Sequence, residues 1–166
     1  MQRSWRLASV LVGLLALAAC DQRRIAKLEE GVATEADVKR EFGQPQAVFN
    51  QADGSRIFEY PRQPEGQTNY FITIAADGKM SALRQVLKAS EFAKVSPGLD
   101  KAEVRRLLGK PAKTLRFDLK PDEEHWEWRW LDGSRAKLFN VTFDGNGTVR
   151  ASAIADDPRN GATGGK

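Results

Sequence analysis

The chain holds one cysteine, Cys20, and one histidine, His125, among 166 residues. These are the side chains that could serve as a thiolate nucleophile, an imidazole base or a soft metal ligand. A serine–histidine–carboxylate arrangement would have to use His125, and no nucleophile motif accompanies it. A metal site would have to join His125 to Asp122, Glu123 and Glu124, but that run lacks recognised ligand spacing. It reads as an exposed acidic turn before a strand. Asp144-Gly145-Asn146-Gly147 has some likeness to a calcium loop, yet the remaining ligands and the closing glutamate are missing, and it reads as a hairpin turn. No phosphate-binding glycine loop is present. The expectation is a protein that is not an enzyme, with no metal, no small-molecule substrate and no cofactor.

The position of Cys20 suggests a role of another kind. Arg3 and Arg6 precede an apolar run from Leu7 to Ala19, shorter than the roughly 20 residues of a spanning helix. The pattern is that of an export signal. Leu17-Ala18-Ala19-Cys20 resembles the bacterial lipobox. That resemblance implies a diacylated thiol, cleavage between Ala19 and Cys20, and acylation of the new amine. A single thiol cannot form an internal disulfide, and acylation gives it a role. Several acyl chains make a stable anchor, since each buried methylene contributes about 0.8 kcal/mol.

Loss of the leader removes Arg3 and Arg6 and no acid, so the formal net charge falls from +4 to +2. That gives no nucleic-acid signal. Arg23, Arg24 and Lys27 follow the anchor closely and are candidate contacts to anionic headgroups, at about 1 kcal/mol each.

The elements behind the anchor are duplicated. "IAKLEEGVATEADVKREFGQP" (25–45) aligns with "FAKVSPGLDKAEVRRLLGKP" (92–111) after one deletion. Gly31 meets Gly98, Val38 meets Val104, Gly43 meets Gly109 and Pro45 meets Pro111. Phe58-Glu59-Tyr60 then meets Trp126-Glu127-Trp128, and 72–80 meets 141–149. Each unit starts with a short apolar turn closed by glycine. A helix follows, N-capped by Thr34 or Asp100, with acids in its first turn and a glycine and proline at its end. The period then changes from 3.6 to 2. Strands are expected near 46–51, 56–61, 69–76 and 79–88, then 112–118, 125–131, 136–144 and 147–155. Turns at Asp53-Gly54, Asp77-Gly78, Asp132-Gly133 and 144–147 make their pairing antiparallel.

The fold class is therefore α+β, with two tandem repeats, each a short helix pair followed by an antiparallel sheet of about four strands, its helices on one sheet face. The organisation is a signal peptide over 1–19, acylated Cys20 and a tether over 20–24, repeats over 25–88 and 89–155, and a disordered polar tail over 156–166. A single unit of this size is marginal alone, and two packed together make a more adequate core.

Gly31, Val38, Phe42, Gly43, Pro45, Phe58 and Tyr60, with Gly98, Val104, Leu108, Gly109, Pro111, Trp126 and Trp128, form a pattern that resembles the SmpA/OmlA, or BamE-like, outer-membrane lipoprotein family. The family resemblance implies an accessory lipoprotein of β-barrel assembly, with envelope proteins, the assembly machinery among them, as partners and an association with anionic lipid. It places the chain on the outer membrane facing the periplasm, as a scaffold or adaptor. Asp21 leaves the inner membrane open, because an aspartate behind the acylated cysteine resembles a retention signal. The doubled layout also resembles the β-lactamase-inhibitor fold, whose concave sheet grips an enzyme. That likeness implies an alternative role as an inhibitor or regulator of an envelope enzyme.

Trp126, Trp128 and Trp130 alternate with Glu127 and Arg129, so the rings share one strand face. Trp126 and Trp128 replace Phe58 and Tyr60 and are expected in the core. Trp130 replaces Arg62. It is expected either to cover the join between units or to lie partly exposed beside a partner. Glu127, Arg129 and Trp130 are the candidate partner surface.

Overall fold

The computed structural model describes residues 21–161, and Ala19 and Cys20 lie outside them. The fold is α+β. The chain runs from a helical segment over 21–25 into helix α1 (Glu35–Phe42) and strands β1 (Ala47–Asn50), β2 (Arg56–Pro61), β3 (Asn69–Ile74) and β4 (Met80–Gln85). It repeats as α2 (Ala89–Phe92), α3 (Lys101–Leu108), β5 (Lys113–Phe117), β6 (Lys120–Asp132), β7 (Arg135–Phe143) and β8 (Val149–Asp156). The strands form two antiparallel sheets in the orders β1-β2-β3-β4 and β5-β6-β7-β8.

The duplication extends to atomic detail. Thr34 and Asp37 form a capping box on α1, as Asp100 and Glu103 do on α3, satisfying donors that a helix start leaves free. Gly43 and Gly109 end these helices at φ of 83° and 74°, a region that suits glycine. Both third strands shift register near their ends, between Thr73 and Ile74 and between Thr142 and Phe143.

The two sheets are used differently. On one face of sheet 1, Phe58, Tyr60, Tyr70, Ile72, Ile74 and Met80 pack with Val38 and Phe42 of α1. Its other face presents Phe49, Ile57 and Phe71, and these join Val104 and Leu108 of α3 and the inner face of sheet 2, Trp128, Phe139, Val141 and Phe143. Helix α3 thus lies between the sheets, and sheet 1 is covered on both faces. Each unit's own helix packs on one face of its sheet, as expected, and α3 of the second unit covers the other face of sheet 1 as well.

Three local expectations are corrected. β6 begins at Lys120, so Asp122, Glu123 and Glu124 lie inside a strand rather than in an exposed turn. Two of the three carboxylates are held by cations, Glu124 by Lys101 and Arg116 and Glu123 by Arg150. The tail is ordered at least to residue 161: β8 reaches Asp156 and a 3-10 turn spans Pro158–Gly161. Asp157 is buried there. Third, the tryptophan row is not uniformly buried: Trp128 and Trp130 are in the core, while Trp126 is partly exposed and stacks edge-on against Phe143.

Candidate functional site

The expected partner surface does not hold together. Arg129 is buried, with 8% of its side chain exposed against 1% for Asp157, and its Nε donates to Asp157 Oδ2 at 2.9 Å. Its NH1 donates to the carbonyls of Pro64 and Glu65, both at 3.1 Å. Beyond Lys113, which pairs with Glu127, β5 no longer flanks β6. The Gln63 amide takes its place, donating to the Arg129 carbonyl at 2.7 Å and accepting from the Arg129 N–H at 3.3 Å. Arg129 therefore fastens the 63–65 loop of the first unit to the end of the second sheet. Trp130 is also withdrawn: it meets Phe92 edge-on at 4.9 Å, in the cluster that contains Val86 and Leu87 at the join.

Glu127 remains accessible. It is half-buried on the outer face of sheet 2, beside His125, Asn140 and Lys113, with no side-chain hydrogen bond or ion pair. Its counterpart in the first unit shows what such a carboxylate does when covered. Glu59 is fully buried and is gripped by both terminal nitrogens of Arg105 on α3, NH2 at 2.9 Å, and by the Lys110 N–H. Burial pushes the Glu59 carboxyl above its ordinary range, and Arg105 only partly offsets that. Burial likewise lowers the Arg105 guanidinium.

Asn69 completes the join, donating to the carbonyls of Leu108 at 2.7 Å and Lys110 at 3.0 Å. Gly109 lies against this cluster: an added Cβ would sit 2.9 Å from Glu59 Oε1 and 3.0 Å from Asn69 Nδ2. The sequence singled out Gly109 as a helix stop and missed its second role at the join.

His125 is engaged by its immediate neighbours. Its Nδ1 lies 3.0 Å from Thr142 Oγ1, its Nε2 lies 3.4 Å from Glu123, and Phe117 packs edge-on against the ring. Among the described residues, no group of His, Cys, Asp and Glu could hold a metal ion. Glu124 is a structural node. Burial works against its charge, but hydrogen bonds from Lys101, Trp126 and Arg116 outweigh burial and hold its carboxyl at about 2. A shallow cleft of about 330 Å³ lies beside it, lined by Leu119, Pro121, Glu123, Asp144 and Arg150 among others. Within it Glu123 pairs with Lys120 and Arg150, and Asp144 accepts from the Asn146 and Thr148 N–H groups.

The three cations behind the anchor are placed differently from one another. Arg24 pairs with Asp21 at 3.4 Å and Lys27 with Glu41 at 3.0 Å, while Arg23 is exposed. Asp21 itself is buried. Its two carboxylate oxygens accept from Arg62 Nε and NH2, both at 2.9 Å, a bidentate geometry that fixes orientation as well as charge. Among the described residues no helix is long and apolar enough to cross a membrane.

No protein-family model matches the chain, and no curated protein matches it. Among solved structures, it is similar to one described as an osmotically inducible lipoprotein, OsmE. That match has 25% identity, covers 43% of this chain and 75% of that one, and has a TM-score of 0.38. It is also similar to a DUF4309 family protein, YjgB, from Bacillus subtilis subsp. subtilis str. 168. There the identity is 18%, the coverage 78% and 82%, and the TM-score 0.30. TM-scores this low carry no argument about function.

Proposed function

We propose that the protein is a lipid-anchored periplasmic scaffold or adaptor, acting in outer-membrane β-barrel assembly or envelope integrity. The observation that carries this reading is the junction between the lipobox and the folded domain. The residue after Cys20 is already clamped by Arg62, so lipid on Cys20 would hold the domain against the bilayer without a long tether. The Asp21 carboxylate is occupied by that clamp, which favours a structural role for it over a sorting signal and favours the outer membrane. Docking falls to the outer face of sheet 2. Glu127 is unpaired there, whereas Glu59 at the same place in the repeat grips an arginine of a packed helix.

The test is separation of inner from outer membranes, followed by affinity purification of the mature protein. The expected result is outer-membrane recovery together with barrel-assembly components, reduced by Glu127→Lys. Inner-membrane recovery, or clean isolation without those components, would overturn it.

A further inference from the structure

The repeat also shows which edge of the molecule is left open. In the first unit the edge strand β4 is sealed. Met80 exchanges hydrogen bonds with the 31–33 segment, and the Glu30 carboxylate accepts from the Leu83 N–H at 3.1 Å. The second unit repeats the first part of this seal. Gly98 donates to the Val149 carbonyl at 2.9 Å, and Val149 donates to Leu99 at 2.7 Å. The cap is then missing: Glu30 aligns with Pro97, and Ser152, the counterpart of Leu83, meets no carboxylate. From Arg150 to Asp156 every residue of β8 is exposed. The other edges of the molecule are shorter, and β5 carries Lys113 and Arg116, the kind of charge that blunts an edge.

We propose that β8 is the seam of a two-fold dimer of this chain, its edge pairing antiparallel with β8 of a second copy so that the two second sheets become continuous. The register follows from the backbone. The Leu83 N–H points away from β3, so by equivalence the Ser152 N–H points away from β7, and Ile154 and Asp156 follow in alternation. The Asp157 N–H, at the other parity, donates to Ala136 of β7. Pairing centred on Ala153 lets Ser152 and Ile154 of one copy exchange backbone bonds with Ile154 and Ser152 of the other. It also sets the Arg150 end of each strand against the Asp156 end of its partner, whereas parallel pairing would set like ends together. Arg150 and Asp156 also pair within their own chain, with Glu123 and Lys137, but both side chains stay largely exposed, and their complementarity across the seam selects a second copy, in this orientation, over an arbitrary extended segment.

Ala153 sits on the two-fold axis as a non-hydrogen-bonded pair with itself. Such pairs bring Cα atoms to about 4.5 Å, within the disulfide range of about 4.4–6.8 Å. The experiment uses the mature chain carrying Cys20→Ser, which has no other thiol. Sedimentation equilibrium is expected to show a dimer. Ala153→Cys should cross-link to itself under mild oxidation at least about tenfold faster than Ala36→Cys, an exposed control on α1. Pro97→Glu, which restores the first unit's cap without touching β8, and Ile154→Lys should each weaken association about tenfold or more, as an edge charge does. A monomer at all concentrations with no faster cross-linking at 153 would overturn the proposal. So would a dimer indifferent to both substitutions, or a monomer whose β8 captures an added extended peptide instead.

Discussion

Arg105→Met is the perturbation that bears most directly on how the two units hold together. It leaves the Glu59 carboxylate fully buried, with the Lys110 N–H as its one remaining donor among those that now hold it. Breaking a buried pair by removing one partner costs about 3–5 kcal/mol. The guanidinium is a quarter exposed, so the lower end of that range is expected at pH 7. The pH dependence carries a sign. Burial already raises the folded-state pKa of Glu59 above 4.5, and Arg105 is the first influence that lowers it. Without Arg105 the folded pKa rises further. A carboxyl with a raised folded pKa contributes stability below its unfolded pKa and loses it as pH rises through the folded value. The deficit of Arg105→Met should therefore be smaller near pH 5 than near pH 8. Urea unfolding at both pH values, followed by tryptophan fluorescence, reads this out. A loss under about 1 kcal/mol at pH 7, the range of an exposed pair, or an equal loss at both pH values, would show that Arg105 does not hold a buried Glu59 charge.

Asp157→Ala should destabilise by about 3 kcal/mol, because it strands the buried Arg129 guanidinium; limited proteolysis should then cut first in the released 63–65 loop. Gly109→Ala combines an unfavourable positive φ with a Cβ against Glu59 and Asn69, and should cost at least about 1–3 kcal/mol by thermal unfolding, whereas the equivalent Gly43→Ala meets no close atom and should cost less. Glu124 has the opposite pH sign to Glu59. Its depressed pKa stabilises the fold above about 4.5, and that stability is lost as pH falls toward 2, so acid unfolding of Glu124→Gln should show a flatter pH dependence than the parent chain.

The fold was legible where local chemistry repeats. Thr34 and Asp100 read as caps, Gly43 and Gly109 as stops, and the strands as period-2 segments, because each depends on residues a few positions apart. What the sequence hid lies in contacts between distant segments. Glu59 alternates with Phe58 and Tyr60, so it reads as a solvent-face charge until α3 is known to cover that face. A signal was present: Phe49, Ile57 and Phe71 make the opposite face apolar too, as expected of a sheet buried on both sides. Arg129 was misread for the same reason. Its partners are a loop from the other unit and a residue in a segment whose polar composition resembles a disordered tail. No local pattern ties Asp157 to Arg129, and only the closing of the sheet brings them together. The unpaired state of Glu127 became meaningful only beside the paired state of Glu59.

In the proposed function, Cys20 carries the lipid that holds this domain at a membrane. Metabolic labelling with radioactive palmitate, comparing the full chain with its Cys20→Ser variant and assaying separated membranes, tests it most directly. Label is expected on the membrane-bound parent chain and none on Cys20→Ser, which should be released or left with its leader uncut. Label persisting on Cys20→Ser, or an unlabelled parent chain free of membrane, would contradict it.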